Sequence, residues 1–228
     1  MNLGEKLMFV SKASGFAAAA VIVCTLNAAN AQDNYVYGGL SFVSSGPGYT
    51  YTAGGPGFGG FPVEVSLTDN VPFIGYGRVL RRNGNFSLAV EADVMAGGAA
   101  SGRQELGAPP CITPGQACTL EIDNMVSVRF VYAEEIGAWK PFATWGLAAA
   151  SVSGSADTGA CAGPCDFDET LFGFSLGLGT GYRINEKWSA RAEVLYSEFN
   201  APEFTNPVNV TSTGVDAVQL RFGASYTF

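Results

Sequence analysis

Apolar residues alternate with polar or small ones through most of this chain, a pattern that predicts strands with two unlike faces. It is clearest in VQLRFGASYTF, residues 218–228. Val218, Leu220, Phe222, Ala224, Tyr226 and Phe228 share one face there, and Gln219, Arg221, Gly223, Ser225 and Thr227 share the other. NFSLAVEADVM sets Phe86, Leu88, Val90, Ala92 and Val94 against Ser87, Ala89, Glu91, Asp93 and Met95. MVSVRFVY sets Val126, Val128, Phe130 and Tyr132 against Ser127, Arg129 and Val131. LFGFSLGLGTGYR and WSARAEVLYS repeat the pattern, with Arg191 and Glu193 on the polar face of the second. NYVYGGLSFV, VPFIGYGRVL and KPFATWGLAAAS also read as strands. In the last, Ala143, Trp145, Leu147 and Ala149 take the apolar face, whereas the facing of the first two is open. Eight strands are predicted.

The connections alternate in length. RRNGN, with Asn83-Gly84 as the preferred type I′ pair, EEIGAW and INEKW are short. Between them lie four long segments: 44–70, 99–124, the stretch holding CAGPC, and 201–214. The glycine-rich first one lacks the lysine and following helix of a phosphate-binding loop and reads as a flexible surface loop. Short turns at one end and long loops at the other fit a barrel hung through a membrane. A water-soluble sandwich with its apolar face inward is the competing arrangement. The polar face is narrow, however, and the apolar face broad and aromatic. The bore of an eight-stranded barrel only just admits side chains, so small residues and a few paired charges belong inside and bulky ones against lipid. Phe86, Tyr132, Tyr182, Trp188, Tyr226 and Phe228 fall near strand ends, as girdles at the two membrane interfaces would. Each unpaired backbone group in hydrocarbon costs several kcal/mol, so the last strand must bond to the first, near Tyr35. The expected fold is all-β: an eight-stranded antiparallel up-and-down transmembrane barrel with short periplasmic turns and long extracellular loops.

Composition adds the compartment. Lys6 and Lys12, the run GFAAAAVIVCTL and the small-x-small site Ala29-Asn30-Ala31 predict a secretory signal peptide, residues 1–31, cut before Gln32. The run is too short and alanine-rich for a membrane helix, and the context of Cys24 does not suit a lipoprotein. The expected mature barrel is 32–228. Lys6, Lys12 and Glu5 leave with the signal, so the chain's 12 basic and 20 acidic residues become 10 and 19, a balance that excludes nucleic acid as a partner. Cys111, Cys118, Cys161 and Cys165 remain, an even number suited to an oxidising compartment. Of three connectivities the two neighbour pairings are favoured, since each staples one loop. Zinc fits poorly, with the wrong spacing and no histidine.

Six charges, Glu91, Asp93, Arg129, Arg191, Glu193 and Arg221, fall on the inward face at similar heights. Unpaired they would be costly. The expected pairs are Glu91 or Asp93 with Arg129, and Glu193 with Arg191 or Arg221. They read as a structural plug, or alternatively as a gate whose partner exchange opens a thin water path. Glu64, Asp69, Glu105, Glu121, Asp123, Asp157, Asp166, Asp168, Glu169 and Glu203 are placed in the loops, with Arg103 the only base beside them. CDFDE offers hard oxygen donors, yet its spacing matches no calcium loop, so no metal or cofactor is expected.

The terminal alternation ending in Tyr226 and Phe228, the strand-turn-strand GLGTGYRINEKWSARAEVLYS, and KPFATWGLA together resemble the small OmpA-like outer-membrane β-barrels of Gram-negative bacteria, the porin-family β-barrel proteins. The resemblance covers nearly all of the mature chain. It implies outer-membrane lipid and lipopolysaccharide as surroundings. It also implies that the terminal aromatics Tyr226 and Phe228, with Phe222 on the same face, are read by the barrel-insertion machinery. Enzymes among such barrels rely on a histidine base, and this chain has none, so no enzyme is expected. Two roles stay open: a structural and surface-interaction barrel displaying acidic, disulfide-braced loops to an unknown ligand, or a narrow passive channel for small solutes. Bilayer conductance separates them, and loss of both Glu193 and Arg221 is expected to raise it if those two form the plug.

Overall fold

The computed structural model describes residues 34–45, 48–51, 61–64, 67–105, 117–156, 165–200, 210–212 and 215–228. The expected signal peptide, Cys111 and Cys161 lie outside them. Eleven strands form among the described residues: β1 (Asn34–Ser45), β2 (Gly48–Tyr51), β3 (Phe61–Glu64), β4 (Leu67–Asn83), β5 (Phe86–Glu105), β6 (Ala117–Glu134), β7 (Trp139–Ala156), β8 (Cys165–Arg183), β9 (Trp188–Phe199), β10 (Val210–Ser212) and β11 (Val215–Thr227). Eight of them close a barrel in the order β1-β11-β9-β8-β7-β6-β5-β4, each antiparallel to its neighbours.

The remaining three form a second sheet, β10-β2-β3. Here the reading of the first long segment as a flexible loop is corrected, because β2 and β3 pair as a hairpin and β10, from the last long segment, pairs with β2. The alternation there was too short to stand out. The walls also run farther than expected: β5 takes in Glu105, β6 takes in Glu121 and Asp123, and β8 takes in Asp166, Asp168 and Glu169, so these acids sit on strand extensions rather than in loops.

Closure is complete. Tyr35 pairs with Thr227 and Val36 with Tyr226, and the Phe228 N–H donates to the Asn34 carbonyl at 3.2 Å. Among the described residues each barrel strand is paired with a neighbour on both sides, which closes the wall where it would meet lipid. The β4–β5 turn is shifted by one residue from the expected Asn83-Gly84 pair. Asn83 pairs with Phe86, so Gly84 (φ 59°) and Asn85 are the turn residues. The extra residue is Leu80, bulged between Val79 and Arg81. The bulge keeps Val79 facing in and Phe86 facing out, and the turn absorbs the offset. Gly137 (φ 65°) plays the same first-position role in the β6–β7 turn.

The expected facings of the alternating strands are those observed. Val128, Phe130, Trp145, Leu147, Leu176, Leu178, Val194 and Leu220 are exposed on the outside, and their sequence neighbours are turned inward. On β1 and β4, where facing was open, Tyr35, Tyr37, Phe73 and Val79 turn in, and Leu40, Phe42, Ile74 and Leu80 turn out. The six aromatics expected to serve two interfaces all lie at one rim, the short-turn end. Phe86 stacks on Tyr132 (5.6 Å between centroids), Trp139 meets Tyr182 edge-on (4.9 Å), and Trp188 packs on Tyr226 (5.0 Å), which stacks on Phe228 (6.4 Å). The outward residues of β8 from Phe172 to Tyr182 cover about ten steps of ~3.3 Å, which at a tilt of about 40° spans roughly 25 Å, the height of an apolar membrane band.

Candidate functional site

Four strands carry the interior charges to one level of the bore. Glu91 and Asp93 come from β5, Arg129 from β6, Arg191 and Glu193 from β9 and Arg221 from β11, and all are buried or nearly so. Arg129 stands at the centre. Its guanidinium reaches Asp93 at 2.6 Å, Glu193 at 2.5 Å and Glu91 at 3.6 Å. Arg191 crosses to Glu91 through two contacts, 2.5 and 2.9 Å, and lies 3.3 Å from Glu193. Arg221 bonds Asp93 at 3.2 Å and donates from Nε to Gln219 Oε1 at 2.9 Å. Three acids and three arginines thus form one neutral layer.

One of the expected alternatives is not formed. Arg221 and Glu193 are register partners on β11 and β9, yet Glu193 is held by Arg129 and Arg191 while Arg221 reaches Asp93. A bore this narrow lets an arginine touch strands other than its neighbours, and the Phe73 ring 5.0 Å below holds the Arg221 guanidinium in place. Arg191 is held likewise between the rings of Phe142 (4.3 Å) and Tyr37 (4.7 Å).

Besides Thr144, whose hydroxyl donates to Glu193 at 3.2 Å, the sequence reading missed two tyrosines. Tyr35 Oη donates to Glu91 at 2.7 Å and Tyr37 Oη to Asp93 at 3.0 Å. Each tyrosine is on β1 and each acid on β5, with β4 between them. The β4 residues at the crossing are Gly77 and Gly75, register partners of both the tyrosines and the acids. A Cβ at either glycine would run into the ring that passes over it. The signal was present: Tyr-x-Tyr in NYVYGG matches Gly-x-Gly in GYG, both at the two-residue period of an inward face.

Toward the long-loop end the bore is packed with apolar side chains. Every barrel strand contributes at least one, among them Val43, Met95, Met125, Val152, Leu171 and Phe199, none more than 3% exposed. The expectation of a small, polar interior therefore holds only for part of the bore. A bulge between Ile122 and Asn124 switches the facing of β6, which turns Ile122 into this packing and keeps Asp123 out of it.

Of the proposed loop acids, Asp168 and Glu169 alternate along β8 and face opposite sides, so the pair cannot grip one ion. Cys118 and Cys165 are both register partners of Ala156, one on each side of β7. Their Cα atoms are therefore about 10 Å apart, beyond the ~7 Å that a disulfide allows, which removes a Cys118–Cys165 bridge.

Known proteins place this architecture. No curated protein matches the chain in sequence. Solved structures with a similar fold include OprG of Pseudomonas aeruginosa (14% identity, TM-score 0.50, 86% of this chain and 96% of that one). The outer membrane protease OmpT of Escherichia coli is another (7%, 0.52, 87% and 98%), and neisserial surface protein A a third (15%, 0.46, 86% and 97%). At these identities the likeness is one of fold. The family described as outer membrane protein beta-barrel domain matches residues 16–228. With a closed eight-stranded wall and an apolar outer belt, the chain belongs to that family as a small OmpA-like barrel, resident in the outer membrane of a Gram-negative bacterium.

Proposed function

We propose that this barrel is a non-conducting anchor with a structural and surface-interaction role. The observation that carries this reading is the apolar packing across the extracellular half of the bore, which lies in series with the charge layer. A path for water would have to breach both. In planar bilayers at neutral pH the purified mature protein is expected to be silent; stable openings would favour the alternative, a narrow channel for small solutes. Because the seal is double, Glu193→Gln with Arg221→Gln should remain closed, contrary to what a single plug of charges would give. Leakage should need Met95→Ala, Met125→Ala and Leu171→Ala added to the pair. A changed gel mobility on boiling would check that each variant is still a folded barrel.

The fold likeness to OmpT does not extend to chemistry. This sequence has no histidine, and each interior carboxylate is engaged by arginine. We read the chain as no enzyme.

In the same proposal, residues 1–31 are removed, bridges Cys111–Cys118 and Cys161–Cys165 brace the acidic extracellular segments, and the insertion machinery reads Phe222, Tyr226 and Phe228. The barrel sits in outer-membrane lipid and lipopolysaccharide. Outer-membrane fractions test these together. Mass spectrometry should find a mature N-terminus at Gln32 and both bridged peptides before reduction, and a chain lacking Phe228 should assemble at several-fold lower level. Peptides joining Cys118 to Cys161 would replace the bracing scheme, and unchanged assembly would remove the terminal signal.

A further inference from the structure

At the periplasmic end the bore opens into a cavity of about 1010 Å³. Its floor is the Arg191–Glu91 pair, and the charge layer and apolar packing beyond make it blind. Four cations border it: Arg82 on β4, Lys140 on β7, Arg183 at the end of β8, and Lys187 in the β8–β9 turn. Arg82, Lys140 and Arg183 stand at inward-facing positions, and Lys187 lies in the turn at the edge of the opening. Arg82 is the register partner of buried Ser87, Arg183 that of Ser189, and Lys140 precedes buried Phe142 by two residues.

Carboxylates there are fewer. Glu135 is shared by Arg82 (3.3 Å) and Lys140 (3.7 Å), and Glu186 is the other acidic side chain on the border. Arg183 donates to the Gly137 carbonyl at 3.0 Å, and the Lys187 ammonium lies 5.9 Å over the Tyr226 ring. No carboxylate among the described residues is within ion-pair distance of either. On the floor, nine-tenths-buried Arg191 has an Nε without a hydrogen-bond partner.

We infer that this cup is a binding site for a small, multiply charged periplasmic anion bearing phosphate or carboxylate groups. Cations from separate strands converge on one opening between low-dielectric walls, which focuses their field. A single charge would engage one of them, whereas a polyanion bridges several. Arginine adds the fork that grips two oxygens at once. The volume is that of a small-molecule site, too small for a folded partner.

The test uses the mature barrel in phosphatidylcholine nanodiscs, titrated calorimetrically with inorganic pyrophosphate and with citrate. Saturable binding of either is expected, weakening with salt and falling by about tenfold or more in the double variant Arg183→Gln, Lys187→Gln. The charge-preserving pair Arg183→Lys, Lys187→Arg should keep most of the affinity, and altered gel mobility on boiling would show that both variants fold. Pyrophosphate alone would make the ligand a phosphate compound, and citrate alone a carboxylate. No saturation by either, or equal binding by the glutamine variant, overturns the site. Displacement of the probe by phosphatidylglycerol in the disc would also overturn it, by assigning the cations to lipid headgroups.

Discussion

Replacing Arg129 with leucine should lower the unfolding free energy of the barrel by about 3–5 kcal/mol, the range for breaking a buried pair from one side. Arg129 is the residue that joins the layer: without it Glu193 keeps the 3.3 Å contact to Arg191 and the Thr144 hydroxyl at 3.2 Å, and Asp93 keeps Arg221 and Tyr37. Leucine supplies comparable bulk but no donors, so carboxylate would be left facing alkyl chains. Urea titration in lipid vesicles, followed by tryptophan fluorescence, measures the difference. A second substitution sharpens the result. Adding Glu193→Gln to Arg129→Leu removes one stranded charge and should recover at least ~1 kcal/mol, a non-additivity that unlinked sites would not show. A loss below about 1 kcal/mol for Arg129→Leu, or strict additivity, would mean that the arginine is not the centre of the layer.

Leu178→Arg should cost about 2–4 kcal/mol, the penalty for a cation on the lipid face near the bilayer midplane. Leu178 is 70% exposed and belongs to the middle of the outward row of β8 that runs from Phe172 to Tyr182. In water such a change would be nearly neutral, because the leucine side chain packs against little protein. Ile184 is the control. It is 62% exposed as well, but it sits in the β8–β9 turn beyond the aromatic rim, so Ile184→Arg should cost at most about 1 kcal/mol. The same urea titration reads both. Equal costs at the two positions would place no hydrocarbon against Leu178, and the assignment of the outer face would be wrong.

These two experiments probe different kinds of information. The facing of Leu178 was legible in the sequence because a strand turns successive side chains to opposite sides, a property of the chain's own pleat. So were the eight barrel walls, the inward position of all six charges and the closure of the last strand on the first. The one-residue shift of the β4–β5 turn was not legible, since the bulge at Leu80 follows from matching faces on two strands at once. Nor was the β10-β2-β3 sheet, whose strands of three and four residues are too short to show a period and come from segments far apart in the chain.

The partners of the interior charges also lay beyond local pattern. Alternation told that Arg221 points into the bore, but reaching Asp93 rather than its register partner Glu193 depends on how the wall curves and which rings lie beneath the guanidinium. Tyr37 meets Asp93 because Gly75, on the strand between them, leaves room for the ring to pass. The amino-acid sequence therefore determined which side of the wall the residues of the clearly alternating strands occupy, by a rule that needs only neighbours, but not the facing of β1 and β4 or the switch at the β6 bulge. The closed tertiary structure decided what each inward group touches, because in so narrow a cylinder long side chains span strands that the chain order keeps far apart.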